Sequence, residues 1–229
     1  MSASARSLFV KSLFIAAHPD DETLGAGGAA LRRKAEGHST AWLIVTGIST
    51  AAGWSSDQVK KRNAEIDTVS KLLQFDEVYQ LELPTTQLDT IPTRDLVAGI
   101  SDIFRRFQPN EIFVPHYSDI HSDHRVVFQA VASCTKWFRY PSVQRILCYE
   151  TLSETDFSLG EAGTFKPNYF LDVSSFFEGK LAALRIYASE LGRFPFPRSE
   201  ESVRAQATLR GAASGYNAAE AFELLRERN

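Results

Sequence analysis

Cysteine is almost absent from this chain: Cys134 and Cys148 are the two it has in 229 residues. That rules out a disulfide framework, so a hydrophobic core must hold the fold, and a reducing, cytoplasmic setting fits. Also missing is any run near the roughly 20 apolar residues of a membrane span, which argues against a stable membrane anchor. The apolar stretch from Leu8 to Ala17 is interrupted by Lys11 and followed by no separate small-residue cleavage site. It reads as a first strand rather than a secretion signal. Basic residues are not in excess: 25 Lys and Arg stand against 28 Asp and Glu, and no basic stripe suits nucleic acid. What the chain does have is 44% apolar and 23% charged residues, the balance of an ordinary globular protein able to bury a core.

Apolar runs alternate with helix-length segments. Strands are predicted at residues 12–17, 40–46, 77–81, 111–115, 144–149 and 168–172, and helices at 24–36, 57–73, 93–107 and 124–138. Short apolar strands separated by helices predict an α/β, Rossmann-like fold, a mostly parallel sheet with helices on both faces. Residues 174–191 and 199–225 read as a helical C-terminal part, divided by the turn Phe194-Pro195-Phe196-Pro197. No repeat or linker breaks the pattern, so residues 1–229 are expected to form one domain.

Two short polar clusters stand out, His18-Pro19-Asp20-Asp21-Glu22 and His121-Ser122-Asp123-His124, each just past an apolar run. In folds of this kind ligands gather beyond the carboxyl ends of the strands, where the loop at 47–56 with Trp54 should also open. Three carboxylates beside one imidazole repel one another unless a cation offsets them. Imidazole and carboxylate donors suit a borderline divalent ion. The competing reading is structural: Asp20 or Asp21 caps the helix that follows, and Asp123 caps the next. Gly25, Gly27 and Gly28 do not match G-x-G-x-x-G, and are better read as allowing close approach of helix to sheet. Asp123, adjacent to His124 and two positions from His121, is placed to orient one imidazole. Arg62 and Glu65 share a helix face, either as a surface ion pair or as contacts to a bound ligand. Trp54, Tyr117 and Tyr149 are each either a stacking surface for a ligand ring or a loop anchor.

Together, the two clusters resemble the signature pair of the PIG-L/LmbE-like deacetylases. The resemblance extends to Arg62-Asn63-Ala64-Glu65, Cys148-Tyr149-Glu150 and Ala219-Glu220-Ala221-Phe222, with Ser122 where many members carry proline. It implies metal-dependent hydrolysis of an N-acetyl group on a small-molecule amino sugar such as an N-acetylglucosamine derivative. The implied cofactor is Zn2+, with Fe2+, Mn2+ or Co2+ as substitutes. It implies that His18, Asp21 and His124 bind the metal, that Asp20 is the general base, and that His121 with Asp123 stabilises the reacting centre. It also implies that Arg62 contacts substrate. On this reading Asp123 keeps His121 protonated as an oxyanion donor.

Two other readings fit less of the sequence. Two histidines and a carboxylate also form the facial triad of non-haem iron oxygenases, but the spare Asp20 suits hydrolysis better. A non-catalytic sugar-binding protein would not need a competent side chain at every catalytic position. The Phe194–Pro197 turn is read as either a lid or the interface of a homo-oligomer.

Overall fold

The computed structural model describes residues 10–159 and 164–228; Leu8 and Phe9 of the first apolar stretch lie outside these. Five parallel strands form the body of one seven-stranded sheet: β1 (Lys11–Ala16), β2 (Ser39–Gly47), β3 (Glu77–Pro84), β4 (Glu111–Pro115) and β5 (Arg145–Tyr149). Two more complete it, β6 (Tyr169–Asp172) and β7 (Ala219–Glu227), in the order β3-β2-β1-β4-β5-β7-β6. β7 runs antiparallel to both β5 and β6. Six α-helices accompany the sheet among the described residues: α1 (Asp21–Ala35), α2 (Ser56–Leu72), α3 (Thr93–Phe107), α4 (Ser122–Ser133), α5 (Phe177–Leu184) and α6 (Glu200–Ser214).

Successive strand residues point to opposite faces. In β1, β2, β4 and β5 both faces are largely buried, which is why these strands are apolar without alternation. The edge strand β3 is partly exposed and mixes polar with apolar residues. Leu13 and Ile15 of β1 pack with Ile112 and Val114 of β4 under α3 and α4, where Cys134 and Cys148 also lie. Phe14 and Phe113 stack on the other face at 4.5 Å, among residues of α1, α5 and α6. Ala16, Trp42 and Ile44 pack with Ile66 and Val69 of α2 and Tyr187. The predicted sheet and its two helical layers are what the chain forms.

The C-terminal part differs in one respect. It is helical through Ser214, where Gly215 in a left-handed conformation (φ 81°) ends α6. The expected helix to Leu225 is instead broken, and Ala219–Glu227 is strand β7. Helix-forming residues such as Ala, Glu and Leu predict helix there, but two open sheet edges claim the segment, and tertiary pairing outweighs local propensity.

α1 approaches the sheet closely at its glycines. A Cβ on Gly25 would lie 2.1 Å from the Tyr149 ring, and one on Gly28 would lie 2.8 Å from Val173. The same helix is kinked at Ala26 (φ −148°, ψ 18°). The kink has an identifiable cause, a side-chain pair entering the broken turn. Glu220 of β7 accepts from the backbone N–H groups of Gly28 (2.9 Å) and Ala29 (2.7 Å). Lys180 of α5 donates to the Leu24 carbonyl (2.8 Å) and to Glu220 (2.7 Å). Thus the strand and helix of the C-terminal part fix the first turns of α1.

Candidate metal centre and active site

The polar clusters meet where the sequence placed them, beyond the carboxyl ends of the parallel strands. His18 to Asp21 follow β1, Thr46, Gly47, Ile48 and Trp54 lie at the end of β2 and in the loop after it, His121 and His124 follow β4, and all line one open cleft of about 1020 Å³. Donor atoms of His18, Asp21 and His124 lie within 4.8 Å of one another.

The Asp21 carboxylate sits between two imidazoles, Oδ1 at 3.2 Å from His124 Nε2 and Oδ2 at 3.5 Å from His18 Nδ1. The far nitrogen of each ring is held by another carboxylate. His18 Nε2 donates to Asp123 at 3.1 Å, and His124 Nδ1 donates to Asp119 at 2.8 Å. Asp119 is itself held by the Thr155 hydroxyl at 2.6 Å. Outer carboxylates of this kind fix imidazole orientation and tautomer for a metal. With its proton on the outer nitrogen, each ring turns a lone pair inward towards Asp21, an arrangement that calls for a cation. The donor set fits a divalent ion such as zinc.

The electrostatics agree. Burial lowers the basicity of His18, but Asp123 and Asp21 outweigh it and push its pKa up to about 9 without an ion in place. Burial likewise lowers His124, and Asp21 and Asp119 carry it well above the usual imidazole value. Burial raises Asp21, yet His124 and His18 hold it well below the carboxylate range. A bound ion would substitute for the protons these rings otherwise gather.

Asp20 does not cap α1. Its backbone is held at φ 139°, and its side chain makes no capping hydrogen bond. The carboxylate instead accepts from Arg198 Nη1 at 2.9 Å, beside the cluster of His18, Asp21 and His124 but outside it. Burial, then the charge of Asp21, push its pKa up to about 7. Several contacts impose the bend on this turn. Arg62 Nη1 donates to the Pro19 carbonyl at 3.0 Å, and the Asp20 N–H donates to Glu22 at 3.1 Å. Glu22 in turn accepts from Thr23 at 2.6 Å and from the Tyr187 hydroxyl at 3.2 Å.

The second cluster departs from expectation in one pairing. Asp123 neither caps α4 nor reaches the His121 ring with its carboxylate, which accepts from His18 and from the N–H groups of Thr86 (2.7 Å) and Leu88 (3.2 Å). His121 is the N-cap itself: its Nδ1 accepts the Asp123 backbone N–H at 3.1 Å. This leaves the ring neutral with its proton on Nε2. Burial and the neighbouring His18 and His124 lower its pKa to about 4. The physical reason is the helix start. With α4 beginning at Ser122, the side chains of residues 121 and 123 diverge, and Asp123 turns towards the β1 and β3 loops.

Trp54 and Arg62 line the cleft, and Trp54 is 38% exposed there. Arg62 makes the ion pair with Glu65 (3.3 Å) and a second with Glu190 (2.6 Å). Tyr149 offers no stacking surface: it is fully buried against α1, and its hydroxyl donates to the Ile15 carbonyl at 2.8 Å. Glu154, Glu190 and Arg198 also line the cleft, and no motif in the sequence points to them. They come from irregular segments without a spacing signal.

The profile of the PIG-L family, described as GlcNAc-PI de-N-acetylase, matches residues 13–135. The chain is 27% identical to diacetylchitobiose deacetylase of Thermococcus kodakarensis, covering 94% of this chain and 83% of that protein. It is 30% identical to the uncharacterized deacetylase YaiS of Escherichia coli, over 77% of this chain and 90% of that one. The solved structure of the conserved protein TT1542 from Thermus thermophilus superposes with a TM-score of 0.76 at 25% identity, covering 96% and 97% of the two chains. This chain belongs to the PIG-L family.

Proposed function

We propose that the chain, acting over residues 1–229 as one domain, is a zinc-dependent deacetylase that hydrolyses the N-acetyl group of an N-acetylglucosamine-like sugar. The observation that carries the reading is the buried Asp20 carboxylate, held by Arg198 beside the triad of His18, Asp21 and His124 but not part of it. A divalent ion bound by that triad would supply Lewis acidity, polarising the acetyl carbonyl and lowering the pKa of a bound water. Asp20 takes the proton of the attacking water and delivers it to the departing nitrogen. The neutral His121 ring directs its Nε2–H at the developing oxyanion, a contribution typically of about 3–4 kcal/mol. Asp123 and Asp119 hold His18 and His124 in register, so Asp123 acts through the metal ligand rather than through His121. Trp54 offers an aromatic face to a sugar ring beyond the one that reacts.

The test is acetate release from a panel of N-acetylated sugars. Activity is expected to vanish with a chelator and to return with Zn2+, and more weakly with Co2+, Mn2+ or Fe2+. Chelator-insensitive release, or turnover that needs oxygen, would reject the reading.

A further inference from the structure

The two arginines of the cleft are already neutralised. Arg62 donates to Glu190 at 2.6 Å and to the Pro19 carbonyl, and lies 3.3 Å from Glu65. Arg198 donates to Asp20 at 2.9 Å and to the Ser153 hydroxyl at 2.8 Å, with Glu154 at 3.7 Å and Glu190 at 3.8 Å. Arginine is the usual receptor for a phosphate because its planar fork matches two oxygens at once. Here each fork already holds one carboxylate and a second oxygen acceptor, and Glu190, hydrogen-bonded to Arg62, lies within ion-pair distance of Arg198 as well. Among the described residues lining the cleft, Arg62 and Arg198 are the only lysines or arginines, against five carboxylates once Asp21 and Glu82 are counted. With a divalent ion added and all five carboxylates ionised, the lining carries a formal charge of −1, which disfavours an anion.

Next to this cleft, and sharing Trp54, Thr85 and Thr86 with it, lies a second hollow that also presents Gln58 and Gln87. No charged side chain lines it among the described residues. An aromatic face with amide and hydroxyl groups suits an uncharged ring of a glycoside.

We propose that Glu190 is a specificity-determining residue, a charge filter that occupies Arg62 and Arg198 and restricts the cleft to uncharged N-acetylated glycosides. The next ring of the substrate lies against Trp54 in the adjoining hollow, and phosphorylated amino sugars are turned away. The inference rests on the deacetylase reading above.

The experiment compares kcat/KM of the zinc-loaded protein for two substrates, the uncharged disaccharide of β-linked N-acetylglucosamine and N-acetylglucosamine 1-phosphate. The wild type is expected to favour the disaccharide by about 100-fold or more, two like-charge contacts at roughly tenfold each. Glu190→Gln removes the nearer of the two carboxylates paired with Arg62, leaving Glu65 at 3.3 Å, and should narrow that ratio by about tenfold, an effect that fades as salt is raised. Trp54→Ala should raise KM for the disaccharide by about tenfold and change KM for free N-acetylglucosamine less. A wild type that handles the phosphorylated sugar as well as the disaccharide would overturn the filter while leaving the deacetylase reading intact. An unchanged ratio in Glu190→Gln would remove Glu190 from that role. Acetate from neither sugar would overturn both the filter and the activity it rests on.

Discussion

Replacing Asp20 by asparagine should lower kcat by about 10²- to 10⁴-fold, the usual worth of a positioned general base, and leave the metal in place. Both halves of that expectation come from geometry. The Asp20 carboxylate bonds to Arg198, not to His18 or His124, so an isosteric amide removes the proton acceptor without touching the donor set. Replacing His18 or Asp21 by alanine should instead empty the site, because on the proposed reading each supplies one of three protein ligands. Metal content by atomic absorption, measured beside kcat, separates the two cases. Undiminished turnover of Asp20→Asn would remove the residue from proton transfer. Loss of metal from that variant would reassign it to the ligand set.

Lys180→Met is expected to destabilise the protein by about 3–5 kcal/mol, the typical cost of leaving one member of a buried ion pair without its partner. For a domain of this size that amounts to roughly 6–20 °C in Tm. Both members of the pair are almost completely buried, and the four contacts they make close the broken turn of α1. Removing the charge from both, in Lys180→Met combined with Glu220→Gln, should cost less than the single change, since no lone charge remains in the core. Thermal unfolding of the two variants tests this. A single variant as stable as the wild type would show that the pair contributes nothing. The damage should also reach the metal, because α1 begins at Asp21; a weaker zinc affinity in Lys180→Met would report it.

The parallel sheet and the meeting of His18, Asp21 and His124 were legible in the sequence for the same reason. Each rests on local information: uninterrupted apolar strands, and two short motifs that lie within a few residues of a strand end. The sequence misled where adjacency along the chain does not translate into adjacency of side chains. Asp123 stands two residues from His121, yet the start of α4 sends its carboxylate to His18, far earlier in the chain. β7 was hidden by helix-forming composition, because what makes it a strand is the pair of edges waiting at β5 and β6. Arg198 and Glu190 carry no pattern at all. A charged residue in an irregular loop becomes meaningful only when the fold brings it to Asp20 and Arg62.

The bend at Asp20 has a cost that bears on how this protein can change. A non-glycine residue at φ 139° gives up on the order of 1–3 kcal/mol, and here the residue also crowds a second carboxylate. Asp20→Gly would relieve both penalties together. On the proposed reading, heat resistance gained at this position would come from discarding the proton acceptor, so that durability and turnover pull a single residue in opposite directions.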